Sequence, residues 1–126
     1  MLIAAALLAA ACTATDGDTI RCGAERIRLI GIDAAELHGP CRRRICPPGD
    51  ARQAKARMAQ LLRRRPIVIR RFGRDRYGRT LALVSAGGVD LGCAQLRTGA
   101  AVYRADWDQA GRLRSGCNAP QPRNFR

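Results

Sequence analysis

Residues 12–33 read Cys12-Thr13-Ala14-Thr15-Asp16-Gly17-Asp18-Thr19-Ile20-Arg21-Cys22-Gly23-Ala24-Glu25-Arg26-Ile27-Arg28-Leu29-Ile30-Gly31-Ile32-Asp33. Three short β-patterned runs lie in this stretch, Cys12 to Thr15, Asp18 to Cys22 and Glu25 to Ile32, with turn residues at Gly17 and at Gly23-Ala24. Together they predict a three-stranded antiparallel meander. If Asp16-Gly17-Asp18 is a three-residue hairpin loop, Thr15 faces Thr19, and counting back in register places Cys12 opposite Cys22.

Downstream, residues 38–49 carry three consecutive Arg, three Pro and two Cys, the composition of an irregular, basic, stapled loop. Asp50 can cap a helix running to about Arg64, because Ala51, Ala54, Met58, Leu61 and Leu62 share one face while Arg52, Lys55, Arg57 and Arg63 take the other. Pro66 ends it. Two further strands are expected at Ile67 to Phe72 and Arg79 to Ser85, joined by a turn over 73–78. Leu91 to Thr98 reads as a helix stopped by Gly99, and Trp107 to Gly116 as a weaker helical segment. Five strands with two or three helices make an α+β domain with the strand count of a small barrel. Residues 12–118 form that domain, and 119–126 a basic tail.

The chain has 126 residues, enough for one compact domain, and a formal charge of +13 from 23 basic and 10 acidic residues. All the cations but Lys55 are Arg, whose planar fork matches phosphate oxygens, so polyanions are the natural partners; high-GC codon usage produces the same bias. Residues 1–11 are uncharged and rich in Leu and Ala, and resemble the apolar part of an export signal or, alternatively, a first hydrophobic strand. The run is too short to span a bilayer, which needs about 20 apolar residues. Six cysteines without a Cys-x-x-Cys, beside a single histidine, favour disulfides over zinc. With Cys12 assigned to Cys22, Cys41 and Cys46 close a local loop, leaving Cys93 with Cys117. Export to the periplasm or cell exterior is the matching expectation.

Acidic residues are scarce, yet Asp16 and Asp18 flank Gly17, and Asp33 and Glu36 follow the buried-looking run Leu29 to Ile32. Two carboxylates from different strand ends, with a backbone carbonyl and water, suit a hard cation such as Ca²⁺; the same residues also read as a plain turn and a strand-end cap. Arg28 lies within a strand, an awkward place for a cation unless it reaches a partner, and Arg79 opens another strand beyond Asp75-Arg76-Tyr77-Gly78. Both can neutralise a phosphate, or pair ordinarily, Arg28 with Asp33 or Glu36. His38, two residues after Glu36, reads as a substrate contact or a solvated loop residue. A Ser/His/Asp or Cys/His nucleophile system is hard to build with one His and six cysteines expected to pair. With five aromatic residues outside His, stacking platforms for single strands are poorly supplied, Tyr77 being the best placed.

Taken together, Asp16 to Ile20, Arg26 to Glu36, Asp75 to Arg79, and Val89-Asp90-Leu91 with Leu96 and Gly99 resemble, in order and spacing, the thermonuclease (staphylococcal-nuclease-like) domain family. The resemblance runs from about Thr13 to Tyr103. It implies a five-stranded OB-fold barrel with packed helices, and a Ca²⁺-dependent nuclease acting on DNA and RNA to leave 3′-phosphate ends. Carried over by position, Asp18, Asp33 and the carbonyl of Ala34 would bind calcium. Glu36 would orient or deprotonate the attacking water, Arg28 and Arg79 would grip the scissile phosphate, and Arg76 and Tyr77 would line the substrate groove. The chain departs from the family in having Ala35 where Pro is usual, which frees the backbone aiming Glu36. It also carries the Cys41 to Cys46 loop with Arg42, Arg43 and Arg44, which either sets substrate access or braces the fold.

Three functions compete on these residues: a secreted, monomeric Ca²⁺-dependent nuclease; a non-catalytic OB-fold binder of nucleic acid or another polyanion; and a basic protein adsorbing to anionic envelope surfaces without inserting into a membrane.

Overall fold

The computed structural model describes residues 11–37, 41–43 and 46–117; the export segment, the basic tail and His38 fall outside that set, save for residue 11. Eight strands are described: β1 (Cys12–Ala14), β2 (Thr19–Cys22), β3 (Glu25–Leu29), β4 (Ile32–Asp33), β5 (Ile67–Arg74), β6 (Thr80–Ala86), β7 (Val89–Asp90) and β8 (Val102–Tyr103). Three helices accompany them: α1 (Ala51–Leu61), α2 (Leu91–Arg97) and α3 (Arg112–Gly116). The larger sheet runs β1-β2-β3-β6-β5 with β7 on β6, and β4 pairs with β8 separately. The class is α+β.

The first hairpin keeps Cys12 opposite Cys22, and disulfides join Cys12 to Cys22, Cys41 to Cys46 and Cys93 to Cys117. Bridges of this number point to an oxidising compartment. No helix among the described residues is long and apolar enough to cross a membrane.

Helix α1 starts where Asp50 accepts hydrogen bonds from the N–H groups of Arg52 (2.8 Å) and Gln53 (3.1 Å). It ends three residues before Arg64, because the N–H groups of Arg63 and Arg64 reach back only to Gln60 and Leu61, tightening the last turn. Ala54, Met58 and Leu62 face the core with Ile20, Ile27, Leu29, Ile32, Val84 and Leu96.

Two expectations are corrected by tertiary contacts. The run Glu25 to Ile32 is not one strand: it breaks at Gly31, whose φ of +79° only glycine adopts freely and whose backbone bonds the N–H of Arg104 and the carbonyl of Trp107. Beyond the break, β4 turns away to pair Ile32 with Tyr103 and Asp33 with Val102. The segment Trp107 to Gly116 is not one helix either. It forms short 3-10 turns at Ala105–Trp107 and Gln109–Gly111 before α3, because Ala110 takes a left-handed φ of 53°. Asp108 organises this corner, accepting from Tyr103 Oη (2.6 Å) and the N–H groups of Leu113 (2.8 Å) and Arg114 (3.1 Å). Burial and this bond to Asp108 push the Tyr103 hydroxyl up to about 12, so it donates at every ordinary pH.

Glu25 on β3 links three strands. It accepts from Arg71 Nε (2.8 Å) and Nη2 (2.7 Å) on β5 and from Thr80 Oγ1 (2.7 Å) on β6. The Arg71 bonds, then Thr80, hold its carboxyl down to about 2 from an ordinary 4.5. A folded-state value lowered in this way contributes stability above the unfolded value and loses it as pH falls toward the folded one. Glu25→Gln is therefore expected to destabilise the chain at neutral pH and to match the wild type near about pH 2. Urea melts across that range check it; a constant difference would contradict the assignment.

Candidate active site at the meeting of two strand registers

Two registers bring the chemistry-bearing residues together. On the antiparallel side Thr19 faces Arg28, so Asp18 lies beside the end of β2 next to that guanidinium. On the parallel side Arg28 faces Leu81, so Arg79, two residues earlier, shares the face of Leu81. Alternation does the rest: Thr19, Arg28, Arg79 and Leu81 all line one cleft of about 640 Å³. Asp18, Asp33, Glu36, Arg76 and Tyr77 line it as well, so the catalytic, metal-binding and groove side chains expected from the resemblance share one cavity, while His38 lies outside the described residues. The N–H of Ala34 donates to Asp18 Oδ2 at 2.8 Å, tying the segment after β4 to that carboxylate.

Gly17 makes the approach possible. A Cβ there would sit 2.6 Å from the Ala54 Cβ and 2.8 Å from the Ala34 Cβ, so only glycine lets the Asp18 turn pack between α1 and the segment after β4. Gln95 anchors the turn from below. Fully buried on α2, its Nε2 donates to the carbonyls of Gly17 (2.9 Å) and Ala54 (3.0 Å).

The electrostatics are unusual for so basic a chain. Six of its ten carboxylates line this cleft: Asp16, Asp18, Asp33, Glu36, Asp75 and Asp106. Asp18 and Asp33 are buried, at 7% and 1% exposure, and such carboxylates need positive partners. Asp18 Oδ2 lies 3.5 Å from Arg28 Nη2, so Arg28 pairs with Asp18 and not with Asp33 or Glu36. Arg28 also donates to the Leu29 carbonyl at 3.0 Å. Asp33 is gripped by both ends of Arg43, Nη2 to Oδ1 at 3.0 Å and Nη1 to Oδ2 at 2.9 Å, with Arg104 Nη1 at 3.4 Å from Oδ2. That bond to Asp33 raises the Arg43 guanidinium above its ordinary value. Glu36 is exposed on the rim, close enough for its charge to act on Arg43.

Arg79 is held by Asp75, Nε to Oδ2 at 2.7 Å. Burial pushes the Asp75 carboxyl up, but the N–H and guanidinium of Arg79 and the N–H of Tyr77 outweigh it and keep the group below its usual range. Arg76 and Arg79 both lie over the Tyr77 ring, 4.9 and 5.5 Å from its centroid, and Arg76 Nη2 donates to Tyr77 Oη at 2.7 Å. This exposed turn is a preassembled basic lip.

Residues missed in the sequence complete the far wall. Trp107 carries three guanidiniums near its ring, Arg104 at 4.2 Å, Arg28 at 5.2 Å and Arg43 at 5.4 Å. No local pattern announces this, since the three cations come from β3, the stapled loop and the end of β8. Only the surplus of Arg beside a single Trp hinted at it.

The described lining offers two buried carboxylates, Asp18 and Asp33, and no sulfur or imidazole, a donor chemistry that suits a hard divalent cation. Among the described residues no three His, Cys, Asp or Glu side chains converge on one point. An ion held there would therefore rest on Asp18 and Asp33 and fill its remaining positions with other oxygen donors.

The fold and cleft define a class: a small disulfide-braced α+β domain whose acidic pocket is ringed by guanidiniums, suited to handling phosphate esters. The chain matches the family model described as Staphylococcal nuclease homologue over residues 26–116, more than half its length. It belongs to the staphylococcal nuclease homologue family, whose members are usually nucleases, and its function is of nuclease or nucleic-acid-binding type. A comparison with curated proteins found no match.

Proposed function

We propose that the protein is a secreted Ca²⁺-dependent nuclease that hydrolyses phosphodiester bonds of DNA and RNA by in-line attack of water, leaving 3′-phosphate ends. The observation that carries this reading is the concentration of six of ten carboxylates in the one cleft that also holds Arg28 and Arg79, within a chain of charge +13. Asp18, Asp33 and the Ala34 carbonyl would hold the ion, which when bound supplies positive charge to the phosphoryl oxygen. Glu36, exposed on the rim, takes a proton from water or orients it by a hydrogen bond. Arg28 and Arg79 bind the non-bridging oxygens and offset the charge that grows there during displacement. Both are pre-oriented, Arg28 by Asp18 and the Leu29 carbonyl, Arg79 by Asp75. The Arg76 and Tyr77 lip receives the neighbouring nucleotide.

One observation favours a second reading, a non-catalytic binder of nucleic acid: Asp33 is already neutralised by Arg43. Digestion of plasmid DNA and of RNA with Ca²⁺, and again with chelator, separates the two. Cleavage that chelator abolishes is expected. Binding without cleavage under both conditions supports the binder, and cleavage insensitive to chelator removes the metal from the site. Affinity for DNA falls steeply with added salt under either reading, so salt dependence does not discriminate.

A further inference from the structure

Among the described residues of the Cys41–Cys46 loop, Arg43 reaches into the site and lands on the carboxylate assigned above to the cation. Both oxygens of Asp33 are taken by its fork, at 2.9 and 3.0 Å, in the bidentate geometry that is the strongest pairing an Arg makes. A hard dication sits about 2.3–2.6 Å from its carboxylate oxygens, so it and this guanidinium would face each other across one group with like charge. The two compete for Asp33, each weakening the other's hold on the same carboxylate. Asp33 is 1% exposed and so cannot rely on water, which explains why a cation of the chain itself occupies it. Arg43, by contrast, keeps a third of its side chain exposed, rests beside the Trp107 ring, and stands within the short loop that the Cys41–Cys46 bridge closes. Released from Asp33, it stays within the cleft with its fork available to a phosphate.

We infer that Arg43 is a tethered counter-cation: it holds Asp33 until a divalent ion displaces it, then turns to the substrate phosphate, so that cation and polyanion binding strengthen each other. The inference rests on the assignment of Asp33 as a cation ligand. It makes Arg43 a specificity-determining residue, since a partner must bring both a divalent ion and a phosphate to open the site fully. Reciprocity follows by linkage: whatever factor DNA adds to cation affinity, the cation adds to DNA affinity.

The test is Ca²⁺ titration, by calorimetry and by the emission of Trp107, the only Trp in the chain, with and without a short phosphorothioate oligodeoxynucleotide. Wild type is compared with Arg43→Ala, with Arg43→Gln, which keeps a polar side chain without the charge, and with Arg42→Ala, which removes the same charge from an exposed neighbour. Both Arg43 variants are expected to bind Ca²⁺ about fivefold or more tightly than wild type, and Arg42→Ala within about twofold of it. Ca²⁺ should change Trp107 emission in wild type and much less in Arg43→Gln. The oligonucleotide should tighten Ca²⁺ binding about fivefold in wild type, with most of that gain lost in Arg43→Gln. If Ca²⁺ binds wild type but the Arg43 and Arg42 variants behave alike, the tether is overturned and the cation assignment stands. If neither wild type nor any variant binds Ca²⁺, the cation assignment fails and the tether with it.

Discussion

Glu36→Gln is expected to lower the rate of phosphodiester cleavage about a hundredfold or more, the usual contribution of a positioned proton acceptor, while leaving DNA affinity nearly unchanged. Glu36 lies on the exposed rim of the cleft, so the substitution removes one proton-accepting group at little cost to the fold. Arg79→Ala should reduce turnover by a comparable factor, because its guanidinium is expected to meet the additional negative charge that builds on the phosphate as the ester breaks. Binding of DNA, measured with Ca²⁺ at moderate salt, should fall far less in both variants. The comparison is decisive because an interaction made equally with bound substrate and transition state lowers affinity and cleavage together. Equal losses of binding and cleavage would show that these side chains only hold the polyanion.

The second large effect is on stability and comes from Leu113. Its side chain is 1% exposed and fills the space above two glycines: a Cβ on Gly31 would sit 2.8 Å from Leu113 Cδ2, and one on Gly92 2.9 Å from Leu113 Cδ1. Packing this close, with rigid backbone on two sides, leaves little room for collapse around a void. Leu113→Ala is therefore expected to cost about 3–5 kcal/mol, the upper part of the range for a buried leucine. That is a large share of the stability of a domain this size, and thermal or urea unfolding measures it. The Cys93–Cys117 bridge, closing a separation of 24 residues around Leu113, keeps α3 near α2 and should leave the variant folded. Because Leu113 braces the corner held by Asp108, the loss should also loosen Trp107 and show as altered tryptophan emission before global unfolding. A cost below about 1 kcal/mol would mean that this corner repacks freely.

Much of the fold was legible locally. Hairpin registers follow from alternation and turn length, so the Cys12 and Cys22 pairing could be counted residue by residue. Helix α1 announced itself by a capping aspartate and one apolar face. What could not be read was any break imposed from a distance. Nothing around Gly31 marks an end to the strand; the break exists because the chain from Arg104 to Trp107, more than seventy residues on, bonds its backbone there. Strands β4 and β8, two residues each, are likewise too short to carry a periodic signal.

The candidate site divides the same way. Sequence alone determined which residues carry charge and where in the order of strands they stand, because side-chain chemistry and β alternation are local properties. Asp18, Arg28, Asp33, Glu36 and Arg79 could therefore be chosen without coordinates, the motif order doing what no single residue could. The tertiary structure decided who neutralises whom: Arg28 on Asp18, Arg43 on Asp33, three guanidiniums beside Trp107. Ion pairing depends on distance and burial in space, and a carboxylate taken out of water accepts whichever cation the fold brings nearest, however far away in the chain it began.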